Sequence, residues 1–191
     1  MSYLDQVFSP TLLINEAITR ANIQAMSDKA KRHGKKLVPH WKTAQSHEIG
    51  NWAKDYGITE VTASSIKLAE YLCGQGWKNI HIAFPFNIRE TNRLNRLAQS
   101  QSLSVQIVNT DTLNFLATNL TETVGFFIEI DAGYGRTGVS IRDFQLIDRL
   151  LEIAKSSDKL KFKGFYLHPG HTYYIQDKAK VHEESRDALH L

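Results

Sequence analysis

The 191-residue chain is poor in the features that mark secreted and membrane proteins. It has a single cysteine, Cys73, which excludes an internal disulfide and is typical of a reducing compartment. No stretch approaches the ~20 apolar residues of a membrane-spanning helix, and Asp5 interrupts the apolar residues near the N-terminus. The sequence therefore predicts a cytoplasmic protein that has no signal peptide and no membrane partner.

Motifs for metal and nucleotide binding are missing as well. Neither a CxxC nor an HExxH pattern occurs, so no metal site is predicted within the chain, and Cys73 is expected to pack in the core. No GxGxxG follows the first predicted strand, which disfavours a Rossmann-type dinucleotide-binding fold. The net charge is only +3, and the one basic cluster, residues 29–36, fits a helix end. We therefore expect no nucleic-acid partner.

What the chain does have is a repeating pattern of a short β-rich run, a turn and an amphipathic helical segment. Such alternation predicts right-handed βαβ units around a parallel sheet, and hence an α/β fold. The predicted strands are residues 36–40, 60–64, 79–84, 104–109, 124–130 and 161–167. The predicted helices are residues 46–56, 65–76, 89–100, 111–120 with Asp111 as N-cap, 141–157 and 177–191.

The number of these units indicates an incomplete barrel. A (β/α)8 TIM barrel needs eight βα units, and only six can be recognised, so we expect a piece of a longer protein. An extra strand at 11–14 and a helix at about 15–33 precede the first unit. The predicted organisation is thus an N-terminal strand and helix, residues 1–34, followed by a partial barrel, residues 35–191.

Lys42 lies at the C-terminal end of the first predicted barrel strand. The C-terminal ends of barrel strands form the face on which barrel enzymes carry their reactive groups. Partial desolvation at this place would favour the neutral amine, which is the form that attacks an aldehyde. The residues alone leave an ordinary solvated loop lysine as an equal alternative.

The segment FFIEIDAGYGRTGV, residues 126–139, brings two carboxylates to the end of the fifth strand. Alternation puts Phe127, Glu129 and Asp131 on one face, where carboxylates do not suit an apolar core. Arg136 follows in a glycine-rich turn, from which it can pair with Glu129 or Asp131 and donate to a ligand oxygen. A buried ion pair with a purely structural role is an equal alternative.

The segment GFYLHPGHTYY, residues 164–174, places Tyr166 and His168 on one face of the sixth strand. If the strands are parallel, His168 lies at the same barrel end as Lys42, and Tyr173 lies in the loop above it. A lone histidine at a strand end is more often structural. The convergence of several such groups on one rim nevertheless favours a functional site.

Three motifs in order resemble those of one family: PHWKT at 39–43, EIDAGYGRTGV at 129–139 and GFYLHPGHTY at 164–173. They are similar to the fold-type III pyridoxal-phosphate enzymes, whose catalytic domain is the alanine racemase N-terminal barrel, and most similar to the D-threonine aldolase and D-serine dehydratase group. The resemblance implies a (β/α)8 TIM barrel of that type, with about six of eight units in this chain. The family's C-terminal β-domain would be absent from it.

The resemblance also implies a cofactor, pyridoxal 5′-phosphate (PLP), and roles for the residues above. Lys42 would hold PLP as a Schiff base and then move a proton at the substrate's α-carbon. His168 would lie against the pyridine ring as a second catalytic group. Arg136 would donate to the cofactor's phenolic oxygen, and Glu129 would neutralise Arg136 and fix its rotamer.

Two further residues complete the implied site: Tyr173 as partner of the ring nitrogen, and His40 lining the pocket or, equally, packing in its strand. The implied reaction is retro-aldol cleavage or dehydration of a D-3-hydroxy amino acid, which makes the protein a PLP-dependent lyase. The alternatives are an amino-acid racemase and a non-catalytic PLP-binding protein. The full-length protein would be a homodimer with zinc or manganese bound outside this chain, and residues 1–191 alone would have little activity.

Overall fold

The computed structural model describes residues 3–190, so Met1, Ser2 and Leu191 lie outside the described residues. The chain divides into two compact units. One consists of the described part of Met1–Val38 together with Ser46–Thr59, and the other of Pro39–Gln45 together with the described part of Glu60–Leu191. No helix among residues 3–190 is long and apolar enough to cross a membrane.

The first unit contains two helices, both close to their predicted positions. They are α1 (Glu16–Arg32) and α2 (His47–Asp55), and a short 3₁₀ helix, Tyr3–Gln6, precedes them. Each α-helix begins at a polar cap, since Asn15 accepts the N–H of Ile18 and Ser46 accepts the N–H of Ile49.

One arginine connects the two helices of this unit. Arg20 Nε donates to Glu16 at 2.7 Å, its Nη1 donates to Asp55 at 2.9 Å, and its Cζ lies 4.9 Å from the centre of the Trp52 ring. The strand predicted at 11–14 is not formed by the described residues, and Leu12 is 85% exposed there. A strand needs a neighbour for its hydrogen bonds, and this segment pairs with none in the described part of the chain.

The second unit is built on a parallel sheet. Its strands are β1 (Glu60–Ala63), β2 (Asn79–Pro85), β3 (Ser102–Ile107), β4 (Val124–Asp131), β5 (Val139–Ser140) and β6 (Leu160–Leu167). Strands β1 to β4 are neighbours in chain order, and both β5 and β6 pair with β4. The five predicted strands from 60–64 onwards are confirmed, whereas the two-residue β5 was not predicted because it is too short to show a period.

The strand predicted at 36–40 is wrong in its extent. Only His40 forms a parallel bridge, with Thr62 of β1. The backbone bonds around it run from Trp41 N–H to the Thr62 carbonyl at 2.8 Å and from Thr62 N–H to the Pro39 carbonyl at 2.9 Å. Pro39 has no N–H to donate, which restricts how far a ladder can continue at this edge.

The helices of this unit alternate with the strands as predicted. They are α3 (Ile66–Gly74), α4 (Thr91–Ala98), α5 (Thr110–Asn119), α6 (Phe144–Lys155) and α7 (Lys178–Leu189), with 3₁₀ helices at Ile88–Glu90 and Gly170–Tyr174. The predicted cap of α5 is wrong. Asn109, and not Asp111, accepts the N–H of Thr112 at 2.8 Å. Asp111 lies within the first turn, where a negative charge is still favourable.

The two faces of the sheet differ in character. One face is apolar and almost completely buried, and it forms the core together with side chains of the helices. It comprises Val61, Ala63, Ile80, Ile82, Leu103, Val105, Ile107, Phe126, Ile128 and Ile130. The other face carries polar and aromatic residues, among them Thr62, His81, Gln106, Glu129 and Tyr166. Because the strands are parallel, their polar C-terminal ends meet at one edge, and this edge positions the site.

Candidate functional site

Lys42 lies in the turn that follows the bridge residue His40. Trp41 anchors this turn: it is 5% exposed and its ring centroid lies 5.7 Å from that of Trp77. Gln45 closes the turn, because its Nε2 donates to the Lys42 carbonyl at 2.8 Å. Gln45 has a φ of 46°, a left-handed conformation that costs a non-glycine residue about 1–3 kcal/mol and is common at functional sites. The Lys42 side chain is exposed, so the described residues do not supply the expected desolvation.

Glu129 lies at the end of β4, on the polar face of the sheet, and is 1% exposed. Thr137 Oγ1 donates to its Oε2 at 2.9 Å. Burial raises the pKa of Glu129, while the Thr137 bond and the charge of Arg136 act in the opposite direction. The direct ion pair predicted between Glu129 and Arg136 is not formed within 4.0 Å in the described part of the chain. A hydroxyl contacts the carboxylate instead.

Asp131 holds the loop that leads to Arg136. Its Oδ1 accepts the N–H groups of Gly133 and Gly135 at 3.1 and 3.0 Å, so this carboxylate is occupied by backbone. The loop returns to β4 at Gly138, where φ is +122° and an added Cβ would lie 2.6 Å from the Asp131 nitrogen. The predicted need for glycine in this turn is therefore explained by a close approach of backbone to backbone.

His168, the first residue after β6, lies between two tyrosine rings. Its ring centroid is 5.9 Å from that of Tyr134 and 5.8 Å from that of Tyr173, and both pairs are edge-to-face. The Cζ of Arg136 lies 5.9 Å from the centroid of Tyr134. Tyr173 itself is 73% exposed in the 3₁₀ helix that follows.

The pKa values of His168 and His40 are affected by the charges of other predicted site residues. The pKa of His168 is lowered by partial burial first, and then by the positive charges of Arg136 and Lys42. The pKa of His40 is lowered by burial first, and then by Lys42 and His168. Lys42 follows the bridge residue His40, Arg136 lies in the loop after β4, and His168 follows β6, so all four groups lie at the C-terminal end of the same parallel sheet. Both shifts favour the neutral imidazoles, and His40 Nδ1 can accept the N–H of Lys42 at 3.4 Å.

Two residues on the polar face had no role in the sequence analysis. Tyr166 lies opposite Glu129 in the β4–β6 register, and its pKa is raised by burial and then by the Glu129 charge. His81 packs 5.5 Å from Tyr166 between ring centroids, and its Nδ1 lies 3.0 Å from Ser104 Oγ. Burial lowers the pKa of His81 to about 4, and its Nε2 has no hydrogen-bond partner among the described residues. Alternation along β2 would have placed His81 on this face.

A cleft of about 380 Å³ opens beside the Lys42 turn. It is lined by Gln45, Ser64, Ser65, Lys67, Leu68 and Tyr71. None of Lys42, Arg136 and His168 contributes to its lining, and the cleft adjoins the Lys42 turn through Gln45.

The site residues described above include neither a metal-binding cluster nor a thiol. Residues 3–190 contain no group of three or more His, Cys, Asp and Glu side chains that could hold a metal ion. Cys73, expected to pack in the core, is only half-buried in α3, and burial raises the pKa of its thiol.

Known proteins resemble this chain over almost its whole length. Residues 14–190 match the family described as alanine racemase, N-terminal domain. The D-threonine aldolase of an Arthrobacter species is 26% identical over 192 residues, covering 98% of this chain and 50% of that protein. The D-serine dehydratase of Dictyostelium discoideum is 26% identical over 197 residues, covering 93% of this chain and 49% of that protein.

The same likeness is found among solved structures. The crystal structure of D-threonine aldolase from Filomicrobium marinum has a TM-score of 0.88 at 24% identity, covering 97% of this chain and 51% of that one. The chain thus spans about half the length of the curated relatives it matches. Its parallel sheet with alternating helices is a partial (β/α) barrel of the predicted type. By its fold and by the match over residues 14–190, the chain belongs to the alanine racemase N-terminal domain family.

Proposed function

We propose that this chain is the PLP-binding part of a lyase that acts on a D-3-hydroxy amino acid, by retro-aldol cleavage or by elimination of water. The observation that carries the proposal is that Lys42, Arg136 and His168 all follow the C-terminal ends of paired segments of one parallel sheet. The likeness to proteins named D-threonine aldolase and D-serine dehydratase supports the class of reaction.

The chemistry of the side chains fits PLP. Lys42 offers an amine for an aldehyde, Arg136 offers donors for an oxygen, and His168 offers a flat neutral ring. The Arg136 guanidinium gives the site a positive charge, which suits an anionic ligand such as a phosphate. When bound, PLP supplies an aldehyde that captures an amino group and an electron-poor ring that weakens the bonds at the α-carbon.

Each residue of the chain then has a defined task. The Lys42 amine would hold the cofactor and, once displaced, carry a proton to or from the substrate's α-carbon. Arg136 would donate hydrogen bonds to the phenolic oxygen of PLP. Glu129, fixed by its bond from Thr137, would keep a negative charge near the guanidinium without contacting it directly.

The rings on β6 and after it would orient the cofactor. His168, whose lowered pKa favours the neutral ring, would pack against the pyridine ring, while the two edge-to-face tyrosines limit its rotation. Tyr173 would meet the ring nitrogen as an uncharged partner, which leaves that nitrogen less protonated than a carboxylate partner would. His40 would line the same pocket on the Lys42 side.

Groups beyond these residues decide which bond breaks. Cleavage between Cα and Cβ and loss of water after Cα–H cleavage start from the same bound substrate, and they differ in how the hydroxyl is held. We include in the proposal a divalent metal, zinc or manganese, bound by residues outside this chain, and a homodimeric full-length protein.

An absorbance titration with PLP tests the proposal. The protein is expected to give a new band, red-shifted from that of free PLP, and Lys42→Ala is expected to abolish it. Lys67→Ala is the matched control, since Lys67 is also exposed and lines the neighbouring cleft. An unchanged band in Lys42→Ala, or no band in the wild type, would refute the assignment of PLP to Lys42.

The products formed by the full-length protein then identify the reaction. Retro-aldol cleavage of D-threonine gives glycine and acetaldehyde, whereas dehydration of D-serine gives pyruvate and ammonia. Racemisation of alanine gives the other enantiomer without loss of mass. Formation of the enantiomer alone would replace the lyase by the racemase, and binding of PLP with none of these products would leave a cofactor-binding protein.

A further inference from the structure

Tyr134 contacts the two side chains that flank the proposed cofactor site. We propose that Tyr134 is a positioning residue, whose ring sets the separation and orientation of Arg136 and His168. Only the expected effect on catalysis rests on the proposed function, because the contacts of Tyr134 are present in the protein without a ligand. Tyr134 was part of the glycine-rich motif in the sequence, but neither its spacing nor its residue type indicated a role.

The ring of Tyr134 touches both groups at once. The Arg136 guanidinium lies 5.9 Å from the ring centroid, which is within the range of a cation–π interaction. The His168 ring meets the same tyrosine edge-to-face, with centroids 5.9 Å apart and planes inclined by 68°. Arg136 makes no ion pair within 4.0 Å in the described part of the chain, so this aromatic contact is available to orient it.

The backbone of Tyr134 is held on both sides. The residues before and after it, Gly133 and Gly135, both donate their N–H groups to Asp131 Oδ1. Asp131 is the last residue of β4, so the tyrosine is fixed directly to the end of a core strand. Asp131 Oδ1 therefore serves to hold the backbone on both sides of Tyr134.

The ring of Tyr134 rests on Gly170, in the loop after β6. Gly170 is buried, and a Cβ added there would lie 2.5 Å from Tyr134 Cε1 and 2.8 Å from its Cδ1 and Cζ. Only a residue without a side chain leaves room for the ring at this distance. Because Gly170 lies two residues after His168, the contact fixes the loop of His168 against the loop of Arg136.

These contacts make Tyr134 the link between two loops that are otherwise separate along the chain. The rigid ring has a fixed backbone and packs on Gly170, so it sets the distance between Arg136 and His168. A flexible aliphatic side chain in its place would not set that distance. The alternative is that Tyr134 only fills space, in which case any apolar residue of similar volume would serve.

The test follows the imidazole of His168 by NMR in the protein without PLP, with its resonances assigned from a His168→Gln variant. Tyr134→Leu removes the ring and is expected to remove its contribution to the ring-current shift on His168, while the contribution of Tyr173 remains. Tyr134→Phe keeps the ring and is the matched control, so its His168 resonances should stay near those of the wild type. Gly170→Ala should displace the ring and move the same resonances.

A double variant separates the ring contact from general damage to the loop. In the Tyr134→Leu background no ring opposes the new methyl group, so Gly170→Ala should then cause little further change at His168. Independent, additive effects of the two substitutions, or unchanged His168 resonances in Tyr134→Leu, would overturn the proposal. Unfolding curves of Tyr134→Leu, Tyr134→Phe, Gly170→Ala and the double variant, compared with the wild type, show whether each variant is folded.

The catalytic consequence is measured separately. With the active full-length enzyme, displacement of one group by about 1 Å can cost roughly a hundredfold, so Tyr134→Leu should lower kcat/KM by up to that factor, with Tyr134→Phe near the wild type. Equal losses in both variants would contradict a role of the ring. If the wild type fails to bind PLP, the proposed function fails, while the NMR result still decides the role of Tyr134.

Discussion

Thr137 Oγ1 donates a 2.9 Å hydrogen bond to Oε2 of Glu129, a carboxylate that is 1% exposed. Burial raises the pKa of Glu129 above 4.5, and the negative charge of Asp131 acts in the same direction. The Thr137 bond and the Arg136 charge oppose both effects because they stabilise the ionised form. A single hydroxyl therefore helps to decide whether the site carries a negative charge.

Thr137→Val is expected to raise the pKa of Glu129 further and to destabilise the protein at pH 7. The raised pKa means that this group stabilises the fold below pH 4.5 and that the contribution is lost as the pH rises through the folded pKa. Losing a hydrogen bond to a charged group costs about 1–3 kcal/mol, and the cost applies mainly where Glu129 is ionised. The free energy of unfolding in urea, measured at pH 7 and pH 4, checks the expectation.

Thr137→Ser is the control for this change, because it keeps the hydroxyl. It should keep most of the stability at pH 7 and leave the difference between the two pH values as in the wild type. A loss in Thr137→Val of equal size at both pH values would mean that the bond does not act on the ionised carboxylate.

Protonation of His81 is expected to destabilise the fold in acid. Its pKa is lowered from 6.5 to about 4 by burial, so its neutral form is favoured in the folded state. The contribution is complete above pH 6.5 and is lost as the pH falls through about 4, which amounts to about 3 kcal/mol. His81→Gln cannot titrate, so the free energy of unfolding should fall less steeply between pH 6.5 and 4 than in the wild type. Parallel pH profiles of the two proteins would contradict this.

The elements of the second unit could largely be predicted from local patterns. Strand alternation and the spacing of apolar residues are properties of the segment itself, and they located β1 to β4 and β6. The strand at 36–40 failed because pairing depends on a partner elsewhere in the chain, and Pro39 limits it. Asn109 and Asp111 are both good cap residues, so only the backbone geometry distinguishes them.

Gly138→Ala is expected to be much more destabilising than Gly133→Ala. Both glycines have positive φ, +122° and +92°, which costs about 1–3 kcal/mol for a residue with a side chain. A methyl group at Gly138 would in addition meet backbone atoms of Ile130 and Asp131 within 3.1 Å, whereas nothing lies within 4 Å at Gly133. Thermal unfolding of the two variants tests this, and equal losses would show that strain alone matters at both positions.

From the sequence, the site could be predicted only for residues that strand alternation assigns to a face. It placed Glu129 with Asp131 on one face of the fifth strand, and Tyr166 with His168 on one face of the sixth, because residues two apart in a strand share a face. The contacts that complete the site join separate loops, as between Tyr134 and Gly170, or depend on side-chain geometry, as between Thr137 and Glu129. Sequence spacing contains no information on either.

The most direct test of the account is to identify the lysine that holds PLP. The protein is incubated with PLP, the link is made permanent with borohydride, and the modified peptide is mapped by mass spectrometry. The account predicts the label on Lys42 and none on Lys67 in the neighbouring cleft. A label on another lysine, or no label at all, would contradict it.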